Sequence, residues 1–252
     1  MLHIIGLKCK LIHGEARYSL LSLTEKGNFK NLLLKPNSNI SLKLVRKTCI
    51  GYWDVRKRRY ERCDKPINQG TQCTSCKLKD LRNICFSCSG IKCSLPKDLA
   101  PTFSTRKFII YLAQFGKIKK VGVCRKERFL ERLLEQGADS GMILGVKHCL
   151  EARRLEKELS RKYKEVVSSV EKIDNLFLGE IAFPINLRKF YSTNLRKISG
   201  RRLIPLSPLP QKISGRLLLV KGPLLFLKKM DKIYWLNLRE LFGWKIFFNI
   251  EK

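Results

Sequence analysis

Along the first fifty residues the apolar side chains fall in short runs, or alternate with polar ones, at residues 20–23, 32–34 and 40–45. Runs of this length and period predict strands. Gly27-Asn28 and Pro36-Asn37-Ser38-Asn39 separate them as turns. From residue 49 to 95 the aliphatic side chains thin out. A segment so poor in core formers needs another source of order, and a bound metal supplies one.

The pattern changes near residue 100. Residues 108–112 form a β-rich run, Gly116 marks a turn, and residues 120–123 read as a second strand of a hairpin. Across 125–136, Phe129, Leu130, Leu133 and Leu134 recur at helical spacing, and Gly137 is placed to stop the helix. A second helix is predicted over 150–163, with a narrow apolar stripe of Ala152, Leu155 and Leu159. Short β-like runs return at 177–183, 216–220, 224–227, 233–236 and 245–248, and the proline-rich 203–210 reads as a connector. The expectation is an α+β chain in four parts. These are a β-rich N-terminal region (1–48), a cysteine cluster (49–99), a small α/β module (100–165) and a C-terminal small β barrel or sandwich (166–252).

Charge alters this picture. The 252 residues carry 52 Lys+Arg against 21 Asp+Glu, a formal charge of +31. The excess is +13 over residues 1–100, +8 over 101–165 and +10 over 166–252, so it belongs to the folded body and not to a tail. At 44% hydrophobic residues the chain is too apolar for a disordered polycation. A folded body this basic repels itself unless a polyanion neutralises it, and nucleic acid is the leading partner. Three basic clusters are candidate phosphate contacts: Arg56, Lys57, Arg58 and Arg59; Lys117, Lys119 and Lys120; and Arg201 with Arg202. No run of 18 uncharged apolar residues predicts a membrane span. Lys8-Cys9-Lys10 interrupts the only apolar stretch that could form a signal-peptide core, so a cytoplasmic location is expected.

Seven of the ten cysteines, Cys49, Cys63, Cys73, Cys76, Cys85, Cys88 and Cys93, fall within 45 residues. Without an export signal, such clustering reads as metal binding in a reducing compartment. Cys73-x-x-Cys76 and Cys85-x-x-Cys88 can each curl two thiolates onto one tetrahedral ion. One division gives Cys49, Cys63, Cys73 and Cys76 to a first structural zinc. Cys85, Cys88 and Cys93 then share a second, whose fourth ligand the sequence does not name. A single four-thiolate site, or an iron–sulfur centre, are the alternatives. Cys9, Cys124 and Cys149 read as free thiols.

Tyr111, then Lys120-Val121-Gly122, then an arginine-bearing helix, then Leu155-Glu156 resemble the GIY-YIG nuclease module over residues 106–165. The stretch 151–164 resembles the glutamate helix of the excision-repair incision nuclease. The cysteine cluster, followed by Val121-Gly122-Val123 and Gln136-Gly137-Ala138, also resembles an uncharacterised prokaryotic family, a domain of unknown function. The nuclease resemblance implies two short strands bearing tyrosine motifs. It makes Tyr111 the first motif's tyrosine, Arg132 the helix arginine and Glu156 the carboxylate for Mg²⁺. Lys120 stands at the second tyrosine position, and Lys164-Glu165 stand where the family has an asparagine. The expected function is therefore a zinc-stabilised binder of structured RNA, ribosomal or transfer RNA, with RNA favoured over DNA, a ribosomal particle as a candidate partner and no membrane. The alternative is a divalent-metal-dependent, structure-specific nuclease.

Overall fold

A computed structural model describes residues 1–86, 88–100 and 106–251. Strands β1 (Leu2–Ile12), β2 (Glu15–Thr24), β3 (Phe29–Leu34) and β4 (Asn39–Lys47) precede the short β5 (Tyr52–Asp54) and β6 (Arg59–Glu61). Helices α1 (Thr74–Lys79) and α2 (Arg82–Phe86) follow. Next come β7 (Lys107–Phe115), β8 (Ile118–Arg125), α3 (Phe129–Gln136), β9 (Ser140–His148), α4 (Cys149–Leu159), α5 (Ser169–Asp174) and β10 (Ile185–Asn186). The remainder holds α6 (Ser192–Arg196), β11 (Leu203–Pro205), β12 (Lys212–Lys221), β13 (Leu224–Lys229), β14 (Lys232–Asn237) and β15 (Trp244–Glu251). The protein is thus mixed α/β and strand-rich. Among the described residues no helix is long and apolar enough to cross a membrane.

The chain divides into two compact units, Met1–Asp80 with Phe190–Lys252, and Leu81–Lys189. The first is built on a nine-stranded sheet in the order β11-β14-β13-β12-β4-β15-β1-β2-β3. This differs from the separate N- and C-terminal β regions (1–48 and 166–252) that the sequence suggests. β4 lies between β12 and β15, with Leu42 opposite Ile213 and Leu44 opposite Ile246. The strands of 203–251 therefore do not form a sheet of their own. Alternation tells which face a side chain takes, not which distant strand lies beside it.

In β1 the Lys8-Cys9-Lys10 triplet shows that alternation: both lysines are exposed and Cys9 is buried between them. Ile4, Leu20, Leu42, Leu217, Phe226 and Ile246 are among the buried side chains of this unit. Tyr18 is also buried; its hydroxyl pairs with that of Tyr191 at 3.2 Å and accepts the Gly222 amide at 3.1 Å.

The second unit holds a four-stranded sheet in the order β10-β9-β7-β8. The predicted hairpin is β7–β8, antiparallel, with Tyr111 opposite Gly122. β9, which the sequence reading did not anticipate, pairs along the other side of β7. Side chains of β7 alternate between two helices, as strand geometry requires. Ile110 and Leu112 form a buried cluster with Val121, Ala152 of α4 and Phe183, and Leu155, Leu159 and Tyr163 pack against it. Tyr111 points the other way, its ring 5.6 Å from that of Phe129 on α3. The α3 helix stops as expected, with the Gly137 amide bonding Leu134 O and the Ala138 amide bonding Leu133 O. Residues 177–183 form no strand; Glu180 O there accepts a bond from the buried Gln114 side chain.

Candidate metal centre

Cys49 follows β4, where its amide donates to Lys65 O at 2.8 Å. The Gly51 amide turns back onto Cys49 Sγ at 3.3 Å. Gly51 has φ +73°, and a Cβ there would stand 2.1 Å from Glu61 O, so only glycine fits this bend. The chain then runs out along β5 and back along β6 to Cys63. Cys73 stands at the residue before the first turn of α1, and its amide donates to Cys49 Sγ at 3.2 Å. One helical turn later Cys76 lies buried on α1. Gln72 ties the surround together, its Nε2 donating to Gly51 O at 2.8 Å and to Asp80 Oδ2 at 3.0 Å.

The four sulfurs of Cys49, Cys63, Cys73 and Cys76 all lie within 4.8 Å of one another. Cys63 Sγ and Cys73 Sγ are 3.9 Å apart. A tetrahedral ion with metal–sulfur bonds of about 2.3 Å places its thiolates roughly 3.8 Å apart, so the spacing fits. Bonding to the Cys76 amide leads the factors that pull the Cys73 thiol down to about 7. Burial pushes the Cys49 and Cys76 thiols up. Four thiols this close cannot all ionise without a cation between them, and a divalent cation removes that conflict. These four residues are close enough to hold a metal ion. A complete four-sulfur shell leaves no position for water, which is the arrangement of a structural site.

Cys85 on α2, Cys88 and Cys93 lie in the second unit. The side chains of all three line one small cavity there, together with Cys149. The sequence reading left Cys149 out of the metal set.

The first basic cluster spans the turn of the β5–β6 hairpin and the first residue of β6, with Cys49 shortly before the hairpin and Cys63 shortly after it. Arg56, Lys57, Arg58 and Arg59 are all exposed. Asp54 Oδ1 accepts the Arg56 and Lys57 amides at 3.0 and 3.1 Å, and Arg59 pairs with Glu61 at 2.7 Å. Arg201 and Arg202 are exposed in the same unit, after α6. Lys117, Lys119 and Lys120 belong to the second unit, at the β7–β8 turn and the start of β8. Lys119 Nζ lies 5.6 Å from the centre of the Phe183 ring, and Lys120 Nζ donates to Val121 O at 3.0 Å.

The three residues implied by the nuclease resemblance are not brought together as a set. Tyr111 and Arg132 are neighbours. The buried Tyr111 hydroxyl accepts from Gln136 Nε2 at 2.8 Å. Burial pushes it up to about 12, against the opposing pull of Arg132 and Gln136. Glu156 lies on α4, which covers the opposite face of the sheet, and pairs with Arg153 at 2.6 Å. Gln136 stands in the sequence only as part of the Gln136-Gly137-Ala138 motif; a polar residue on an apolar helix face carries no periodic signal that would name Tyr111 as its partner.

A strand-rich mixed α/β chain with a four-cysteine cluster is the class these observations define. Residues 37–190 match the model of a protein family of unknown function, DUF2797, and the chain belongs to that family. The matched stretch takes in all seven clustered cysteines and the whole β7–α4 segment. No curated protein and no solved structure matches the chain.

Proposed function

We propose that this protein is a zinc-stabilised, basic nucleic-acid-binding protein that acts on structured RNA, ribosomal or transfer RNA. The observation that carries the reading is the β5–β6 hairpin. Cys49 and Cys63, two of the four clustered cysteines, flank it, and it presents Arg56, Lys57, Arg58 and Arg59 to solvent. Zinc suits an all-thiolate tetrahedral set and would hold the hairpin in shape without taking part in chemistry. A +31 chain then supplies the long-range attraction, and arginines held on a short hairpin supply phosphate contacts. The test is sedimentation of the native protein with and without ribonuclease, and sequencing of the RNA crosslinked to it. Co-migration with a ribosomal particle, or one dominant crosslinked RNA, is expected. Free sedimentation without RNA would overturn the reading.

The second reading is a divalent-metal-dependent nuclease on a GIY-YIG-like module. The succession of hairpin, arginine helix and glutamate helix supports the module, and the pairing of Tyr111 with Arg132 supports the site. Against activity stand the Arg153–Glu156 ion pair and the placement of Glu156 across the sheet from Tyr111. The module is therefore proposed as a fold. Cleavage abolished by Glu156→Gln with binding retained would restore the enzymatic reading.

A further inference from the structure

The second unit carries a cysteine group that the first centre does not absorb. Cys85, Cys88, Cys93 and Cys149 line one cavity of about 20 Å³, walled by Ile84 and Leu95. Two backbone features fix the Cys88 side of this cavity. The Gly90 amide donates to Cys88 Sγ at 3.4 Å, repeating the bond from the Gly51 amide to Cys49 Sγ at 3.3 Å. In both places the glycine two residues after the cysteine is left-handed, with φ +82° at Gly90 and +73° at Gly51. A Cβ on Gly90 would meet Arg154 N at 2.4 Å and Leu150 O at 2.6 Å. The bend is thus seated on the first turns of α4, and it carries Cys88 towards the residue that opens that helix.

That residue is Cys149, the first of the eleven residues of α4. Burial is the main factor raising the Cys85 and Cys149 thiols; the other thiols of the group raise them further, and Arg153 opposes this. His148, the nearest imidazole in sequence, is exposed.

We propose that Cys85, Cys88, Cys93 and Cys149 form a second four-thiolate site for a divalent cation, of which zinc is the natural occupant. The ion would enter as the thiols release their protons to solvent, and the sulfurs would draw in around the cavity. It would staple the segment 85–93 to the N-terminus of α4. The proposal is independent of the nucleic-acid reading.

The test uses the full chain, purified under reducing conditions and loaded with zinc. Metal analysis should give about two ions per chain, and Cys149→Ser should leave about one. Cys124→Ala, at a thiol of β8 outside both groups, should keep both ions. With Co²⁺ as the probe, the thiolate-to-metal absorption of the wild type should fall by about half in Cys149→Ser. Should that variant fail to fold, alkylation of the wild type decides: Cys149 should be protected when zinc is bound and reactive after chelation. One ion per wild-type chain, two ions in Cys149→Ser, or alkylation of Cys149 indifferent to chelator would each overturn the site.

Discussion

Lys245 Nζ on β15 meets Asp64 Oδ1 at 3.0 Å, next to Cys63 of the four-cysteine cluster. The lysine side chain is only 8% exposed and the aspartate 44%, so the sheet offers a buried cation to a partly solvated carboxylate of the cysteine-cluster loop. Burial alone would raise the Asp64 carboxyl, but Lys245 and Arg62 outweigh it and hold it below its ordinary value. A depressed carboxylate stabilises the fold above its unfolded pKa of about 3.9, and that contribution is lost as pH falls through the folded value. Because the carboxylate is partly solvent-screened, Asp64→Asn should cost about 0.5–1 kcal/mol at pH 7, measured by urea unfolding, and the difference from wild type should shrink below pH 4.

Metal removal should act locally. Chelation is expected to expose the amides of residues 49–80 to rapid hydrogen exchange while β1, β2 and β12–β15 stay protected. Loss of protection across the whole sheet would mean that the centre holds the unit together and not just its loop.

Gly51→Ala tests the bend that aims a backbone amide at Cys49. Left-handed φ and a Cβ 2.1 Å from Glu61 O leave no room for the methyl group. The substitution should weaken metal affinity by roughly tenfold or more, read by competition with a chromogenic chelator. Gly14→Ala, whose Cβ would meet nothing within 4 Å, is the comparison for the cost of left-handed backbone alone.

Replacing Arg56, Arg58 and Arg59 together by glutamate should weaken RNA binding and reduce the slope of log affinity against log salt by roughly 2–3. Melting temperature should fall only slightly, because the side chains are exposed and the one close pair lost is that of Arg59 with Glu61. An unchanged slope would remove this hairpin from the interface.

Tyr111 should titrate near 12 by ultraviolet absorbance, against about 10 in an unfolded chain. Its raised value adds stability that is fully present below pH 10 and is lost as pH rises towards 12. Gln136→Leu removes the bond to its hydroxyl and should shift this titration upward. A Tyr111 that titrates near 10 would be solvent-accessible and contradict the packing on α3.

Much of the local structure was legible in the sequence. The β7–β8 hairpin, the Gly137 stop and the stripe of Ala152, Leu155 and Leu159 all follow from period and turn chemistry. Spacing paired Cys73 with Cys76, and the division that adds Cys49 and Cys63 matches the four cysteines that lie together. What sequence withheld was long-range pairing. Nothing at Leu44 names Ile246 as its neighbour, and nothing at Cys88 names Cys149. The second case did leave a trace, because Cys-x-Gly occurs at both Cys49 and Cys88 and marks the same backbone bend. Strand β9 was hidden for another reason. The run Ser140-Gly141-Met142-Ile143-Leu144-Gly145 neither alternates nor repeats at helical spacing.

The order β12-β4-β15-β1 places the strand Trp244–Glu251 in the interior of a sheet whose other half is made two hundred residues earlier. On the ribosome, β1, β2 and β3 can zip up as soon as they emerge, but β4 must wait for both its neighbours. Throughout that interval β1 and β4 present open hydrogen-bonding edges, the kind of surface that recruits chaperones or pairs with other nascent chains. A stop codon just before Trp244 would thus not trim the protein. It would leave a gap in the middle of the sheet, and such a product should be insoluble or rapidly degraded.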